Sequence, residues 1–433
     1  MAVVVITSHN PSRLRGVAAA GICCATLGLL AAACSGGTST ASRRSGAPSQ
    51  TASGVRLSIA PGSRVTDTAP ERGIKVSAVG GRIAKVVVRT DGDPVTGTLN
   101  AAGTSWHSRW ALDVSRRYTV TATAVGPSGG RVTRRSSFRT FTPTQTFTTK
   151  IIEGFRHTYG VGMPIILYFS RPITDRAAVE RALQIKTSKP VMGAWYWDSR
   201  CGLAPVCLYF RPRNYWPPHT GVSFTGHLNG VEAAPGVYGH HTLTQTFAIG
   251  SSLMVVVNTA RHHMNVYRDR RLFAHWPISS GRPGDATPDG TYLTIAKANP
   301  VDMVGPGYNI EVPWSVRFTW SGDYLHDAYW SVGDQGFTNV SHGCVNMSPA
   351  DAEIYYKLAV PGDPVTVIGS PRPGTWDNGW TMWFLSWPRW LRGSALHEAV
   401  AAGPDGSRFI TPSAAGAGPS VQSPSSQRPR VPS

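Results

Sequence analysis

The chain has 433 residues and a formal charge of +18, from 42 Lys and Arg against 24 Asp and Glu. That length supports two to four domains, each with its own core, and argues against a single compact unit. With 46 Gly, 33 Pro and few acidic residues, a helical protein is excluded in favour of short strands joined by tight turns.

At the front, Arg13 and Arg15 precede an apolar run from Gly16 to Ala33 that ends in Leu29-Leu30-Ala31-Ala32-Ala33-Cys34. This is the layout of a signal peptide. The small residues before Cys34 resemble a bacterial lipobox, although Leu30 stands four positions before the cysteine where the usual pattern has three. The reading is a lipoprotein signal over 1–34 with Cys34 lipidated; simple secretion or an uncleaved anchor are the alternatives. All three place the remainder outside the cytoplasm, and lipidation places it on the extracytoplasmic face of the cell membrane. Residues 35–54 are Ser, Gly, Thr and Ala in the main, a flexible tether.

Alternating segments follow, among them Arg56-Leu57-Ser58-Ile59, Ile83 to Val88 and Tyr118 to Thr123, with glycine turns between them. Their rhythm predicts an immunoglobulin-like β-sandwich over 55–146. A stretch of similar texture, with Ile165 to Phe169 and Val222-Ser223-Phe224, predicts a second over 147–249. The charge is concentrated in front: Val55 to Thr149 holds 14 basic and 5 acidic residues, Gly250 to Ser370 holds 8 and 11. A membrane surface or a wall polymer fits the basic front, a plain soluble basic surface being the alternative. Nucleic acid is not expected as a partner, because no helix-turn-helix, zinc-finger or RNP-type pattern is present.

From Ser251 the texture changes to a strand meander, Leu253 to Asn258, His263 to Tyr267 and Arg271 to Ile278, closing at Val365 to Ile368. This outlines a third, β-rich domain over 250–370. A Trp-rich piece over 371–402 reads as aromatic anchors docked on that domain, and 403–433 as a disordered tail.

Beyond the signal segment the cysteines are Cys34, Cys201, Cys207 and Cys344. Cys201 and Cys207 bracket a short turn that a disulfide can close in an oxidising space. Cys344 is left as the odd thiol, in Ser341-His342-Gly343-Cys344-Val345-Asn346. Acyl transfer by a thiol needs a thiolate, a base and donors for the oxyanion. Gly343 permits close backbone approach, so the amides of Gly343 and Cys344 are the expected oxyanion donors, with Asn346 locking the turn. The base is His342 or His326. Zinc on His326, His342 and Cys344 lacks a fourth ligand, so no metal or cofactor is expected.

His326, fourteen intervening residues and then Ser341-His342-Gly343-Cys344-Val345-Asn346 resemble the signature of the L,D-transpeptidases with a YkuD catalytic domain. Thr287-Pro288-Asp289-Gly290-Thr291-Tyr292 resembles a turn of the same family, and the order of signal, two immunoglobulin-like domains, catalytic domain and Trp-bearing segment resembles its mycobacterial-type members. The resemblance implies a mainly β chain in which Cys344 attacks the third residue, diaminopimelate, of a peptidoglycan tetrapeptide stem. A thioester forms, and the amine of a second stem's diaminopimelate then takes the acyl group. It implies His326 as general base, Ser341 and His342 in the active-site wall, Tyr308 near the donor beneath a lid over roughly 298–313, Gly322 close to the cleft, and carbapenem-type β-lactams as inhibitors. Asp327 stands where relatives often have Ser; it either orients His326 or is solvated. An L,D-carboxypeptidase or wall-peptide hydrolase with the same cysteine, and a wall-binding lipoprotein with a vestigial site, remain as alternatives.

Overall fold

A computed structural model describes residues 54–202, 204–305 and 308–411. The signal segment with Cys34 and the residues from 412 onward lie outside that range, and so do the expectations attached to them.

The first module packs a four-stranded sheet (Arg56–Ala60, Lys75–Val79, Ser105–Ser108, Gly97–Leu99) on a three-stranded one (Arg82–Thr90, Arg117–Val125, Arg131–Arg139). The period of two decides which face is buried. On Arg117–Val125, Tyr118, Val120, Ala122 and Ala124 are buried and meet Leu57, Val76 and Phe138 in one core. The alternate residues are Thr119, Thr121 and Thr123.

The second module is built on a ten-stranded sheet, whose residues contribute Ile165, Leu167, Trp195, Phe210 and Phe224 to a second core. A disulfide joins Cys201 to Cys207. Within this sheet the strand Ala399–Gly403 lies between Leu183–Thr187 and Val191–Asp198, and Gly406–Ile410 pairs with it on the side. The expectation of a structureless chain from 403 is therefore corrected. A two-residue Pro404-Asp405 turn, followed by Gly406 at φ +114°, closes a hairpin, and the small Ala-Val-Ala-Ala-Gly strand fills a place that two neighbouring strands leave open.

The third module has a five-stranded sheet (Arg271–Pro277, His263–Arg268, Leu253–Asn258, Pro364–Ile368, Gly290–Leu293) and a four-stranded one (Ala296–Ala298, Ser315–Arg317, Tyr324–Asp327, Val345–Met347). Leu253, Val255, Val257, Leu325, Val345 and Met347 fill its core. Helix Pro349–Leu358 follows the last of these strands at once. Pro349 suits the first turn, Ser348 Oγ accepts the Asp351 amide at 3.2 Å, and Ala352 and Tyr355 are its buried side.

The Trp-rich segment packs on more than the third module. Three indole Nε1–H groups donate into the second: Trp376 to Asp198 Oδ2 (2.7 Å), Trp383 to Gly162 O (2.9 Å) and Trp390 to Ala194 O (2.9 Å). Two buried charges of the second module complete the clasp. The Arg211 guanidinium lies 4.5 Å from the Trp383 ring and 4.7 Å from that of Trp390, and burial lowers its pKa to about 10. Glu180 accepts Trp197 Nε1, Ser394 Oγ and the Ala395 amide at 2.6, 2.7 and 2.6 Å. On the other side, Phe384 stacks edge-on against Tyr292 of the third module. The expectation of docking on the catalytic domain alone is thus corrected: aromatic rings of this size bury area wherever a wall is offered, and two walls are offered here. Replacing the fully buried Trp390 by Ala is expected to remove about 3–5 kcal/mol of stability, read as the shift of the urea unfolding midpoint; an unchanged midpoint would show that the clasp contributes nothing.

Candidate active site

The site is assembled by one parallel strand pair. Tyr324–Asp327 runs beside Val345–Met347 with Leu325 opposite Val345, His326 opposite Asn346 and Asp327 opposite Met347. Alternation along Tyr324–Asp327 turns His326 and Tyr324 to one face, and the register puts Asn346 on that same face. Cys344 stands in the bend just before its strand and its Sγ takes the Tyr324 amide at 3.4 Å, so the sulfur lies against the strand that carries His326 two residues further on. Apolar Leu325, Val345 and Met347 point the other way, into the core, so the packing that orders the strands also aims the polar residues.

Cys344 is half-buried and the free thiol among the described residues. Its Sγ donates to Gly322 O at 3.7 Å and receives the Tyr324 amide at 3.4 Å, so Gly322, expected close to the cleft, supplies the carbonyl facing the sulfur. Burial pushes the thiol up to about 12, with the Tyr324 N–H acting against that rise and the Asp323 carboxylate adding to it. His326 is buried, and its Nδ1 lies 2.7 Å from Asp327 O. A carbonyl only accepts, so Nδ1 carries the proton and Nε2 keeps the lone pair that a base needs. Burial lowers the imidazole to about 4. Trp330 stacks over the ring at 6.0 Å. At neutral pH the pair therefore rests as a neutral thiol beside a neutral imidazole.

The turn before Cys344 is braced from inside and outside. Ser341 Oγ donates to Cys344 O (2.6 Å) and accepts the Gly343 amide (3.1 Å). From the Thr-Pro-Asp-Gly-Thr-Tyr turn, buried Thr287 Oγ1 donates to Gly343 O (2.7 Å) and accepts the Gly281 amide (3.0 Å). Gly343 has φ +128°, and a Cβ there would stand 2.4 Å from Asp323 Oδ1, so only glycine fits.

Several expectations need correction. The Gly343 amide is spent on Ser341 and is not open to an oxyanion; of the expected pair only the Cys344 amide remains a candidate, with the Tyr324 amide already aimed at the sulfur. Asn346 locks its surroundings through Ser331 Oγ (2.9 Å) rather than through its own turn. Asp327 orients His326 with its main-chain carbonyl, not its carboxylate. That carboxylate is buried, its Oδ1 has no hydrogen-bond partner, and burial raises its pKa; a solvated Asp327 is excluded. His342 is exposed. The expected lid is a hairpin of Val301–Gly305 and Tyr308–Val312; Tyr308 opens the second strand, but its side chain lies outside the described residues.

Sequence reading missed Asp323 and Asn378. Asp323 Oδ2 accepts Thr319 Oγ1 (2.7 Å) and Ser321 Oγ (2.9 Å), while its other oxygen faces Gly343. Ser321 is bound in turn by Asn378 of the Trp-rich segment, through its amide (2.8 Å) and its hydroxyl (2.9 Å). The run Thr319-x-Ser321-x-Asp323 hinted at a hydroxyl-fed carboxylate, but nothing in the sequence told that it faces Cys344.

Because the thiol must ionise unaided in the resting enzyme, alkylation of Cys344 by iodoacetamide is expected to rise by about tenfold per pH unit between about pH 6 and 9. A plateau within that range would reveal a preformed thiolate–imidazolium pair and overturn the neutral resting state. Asp323→Asn, which removes a negative charge beside the sulfur, is expected to speed alkylation at any fixed pH in that range.

Residues 252–367 match the family model described as L,D-transpeptidase catalytic domain, and residues 65–232 match the one described as bacterial Ig domain. L,D-transpeptidase 2 of Mycobacterium tuberculosis is 33% identical over 345 residues, which cover 76% of this chain and 82% of that protein. L,D-transpeptidase 5 of the same species is 32% identical over 357 residues, 80% of this chain and 78% of that protein. A solved L,D-transpeptidase in complex with imipenem aligns at 33% identity and a TM-score of 0.43, covering 52% of this chain and 100% of its own. The identity over most of both chains, together with the catalytic-domain match over the segment that carries His326 and Cys344, shows that this chain belongs to the L,D-transpeptidase family.

Proposed function

We propose that the chain cross-links peptidoglycan stems by a cysteine thioester, with Cys344 as nucleophile and His326 as general base. The observation that carries the reading is that Cys344 Sγ lies against the strand bearing His326, at the Tyr324 amide two residues before it, with Nδ1–H held by Asp327 O so that Nε2 keeps the lone pair. Donor binding in the cleft brings the carbonyl of the third stem residue, diaminopimelate, to Sγ. Nε2 takes the thiol proton as the S–C bond forms, and the negative oxygen is held by amides near the sulfur, that of Cys344 first among them. The same proton passes to the departing amine of the terminal D-Ala as the C–N bond breaks, leaving a thioester. The side-chain amine of a second diaminopimelate attacks next, loses a proton to His326, and the thiol is regenerated.

A buried, neutral base matches this use. At neutral pH Nε2 is unprotonated and free to receive a proton. With the imidazole at about 4 and the thiol at about 12, it takes that proton only in step with S–C bond formation, and a thiol held neutral at rest is protected from oxidation and stray acylation until a carbonyl is in reach. β-Lactams of the carbapenem type acylate Cys344 by the same first step, since their ring carbonyl replaces the stem carbonyl. Tyr308 and His342 border the donor path in this reading. Cys34, if lipidated, tethers the enzyme to the outer face of the cell membrane through the Ser- and Gly-rich segment that follows it.

Cys344→Ala is expected to abolish the mass gain from a carbapenem, and His326→Gln to slow acylation by about 10²–10⁴-fold; an unchanged adduct on Cys344→Ala would remove this sulfur from the mechanism. Incubation with disaccharide tetrapeptides is expected to give dimers linked between two diaminopimelates, seen by mass spectrometry. Tripeptides without dimers would replace the amine acceptor by water and make the protein an L,D-carboxypeptidase.

A further inference from the structure

The three-stranded sheet of the first module presents an outer face that the transpeptidase reaction does not use. Pairing fixes its membership: Lys85 lies opposite Thr123, Arg89 opposite Thr119, Arg117 opposite Arg139, and Arg135 opposite Thr121. With Arg131 opposite Val125, six cations share one face, all exposed, and no acidic residue stands among them. None of the six forms an ion pair among the described residues, where the first module's one ion pair joins Arg116 to Asp91 off this face.

The cations are not scattered. Arg131, Arg135 and Arg139 recur every fourth residue on one outer strand, roughly 13 Å apart at ~3.3 Å per residue, and Lys85 and Arg89 repeat that interval on the other. The middle strand between these rows is floored by Thr119, Thr121 and Thr123. Two of these hydroxyls are bridged to the neighbouring strand, Thr119 to Ser137 (3.0 Å) and Thr123 to Thr133 (2.9 Å). The rows stand two strands apart, roughly 10 Å. The result is a straight hydroxyl-lined trough with cationic rims running along the strands.

We propose that this trough binds a linear polyanion carrying phosphodiester groups, of the kind an envelope polymer presents. Five of the six cations are arginine, whose planar fork matches two phosphate oxygens, and the floor offers hydroxyl donors to the same oxygens. The two parallel rows suit an extended chain. A lipid surface fits less well: the exposed large apolar residues of this module, Val65, Val79 and Leu99, all lie outside the three strands, so nothing on the face is shaped to enter a bilayer. The trough binds the polymer and holds the first module against it.

The test is titration of the purified full chain with poly(glycerol phosphate), with polyglutamate of similar length and with phosphatidylglycerol vesicles, each over a range of salt. Poly(glycerol phosphate) is expected to bind most tightly. Arg131→Gln/Arg135→Gln/Arg139→Gln is expected to weaken it by about tenfold or more and to flatten the log affinity against log salt slope by about three. The control Arg268→Gln/Arg271→Gln, on the third module, is expected to leave both unchanged. The proposal is overturned if the triple variant binds like the parent, if the control loses as much, or if polyglutamate or vesicles bind as tightly as the phosphodiester polymer. Should the triple variant fail to fold, the single Arg135→Gln decides: about a two- to threefold loss supports the trough, no loss overturns it.

Discussion

The pairing of Tyr324–Asp327 with Val345–Met347 sets the whole site. A slip of one residue in either strand would turn that strand over, carrying His326 or Asn346 to the core side and Leu325 or Val345 to the cleft. Three apolar side chains on the inner face oppose that slip, each contributing roughly 1.5–3 kcal/mol by leaving water. Helix Pro349–Leu358 begins two residues past Met347 and pins the second strand from its end. The turn before Cys344 is then fixed by two hydroxyls, Ser341 and Thr287, so Gly343 and Cys344 have little freedom left. Geometry suited to attack is supplied by ordinary strand packing, and the hydrogen bonds only trim it.

Electrostatics at the site point away from a resting ion pair. Desolvation dominates at both partners, raising the thiol and lowering the imidazole, and the nearby Asp323 carboxylate reinforces the first effect. An ion pair formed here would gain Coulomb energy, but each charge would lose its water in a buried strand pair. The same carboxylate is tied to Thr319 and Ser321, and through Ser321 to Asn378, so its distance from the sulfur depends on a segment more than fifty residues further along the chain.

Much of the active site was legible in the sequence because its parts are local strings. Ser341 to Asn346, His326 at a fixed distance before them and the turn from Thr287 each carry their chemistry in residues close together in the chain. The uses of those residues were less legible. That the Gly343 amide would be consumed by Ser341, and that Asp327 would serve through its backbone, depend on side-chain rotation within a turn, which spacing does not specify. Asp323 and Asn378 were hidden because they act through space. The first module's strands followed from alternation alone. The end of the chain misled for a compositional reason: the Pro, Ser, Gly and Ala that fill the chain from 403 on resemble a linker by residue type, while the Pro404-Asp405-Gly406 turn signal and the alternating Ser407-Arg408-Phe409-Ile410 marked a hairpin.

The strand Ala399–Gly403 occupies a slot between two strands that were made some two hundred residues earlier. Until it and the segment before it arrive, Leu183–Thr187 and Val191–Asp198 have bare edges where that strand belongs, Glu180 keeps Trp197 but lacks Ser394 and the Ala395 amide, and Arg211 lacks Leu385 O and the rings of Trp383 and Trp390. The second module consequently cannot finish folding while the chain is still emerging N-terminus first, and the loop bearing Gly322 and Asp323 lacks its Asn378 tether for the same interval. Maturation of the thiol site is thereby coupled to completion of the polypeptide, so a nascent or truncated molecule would not display a finished cleft.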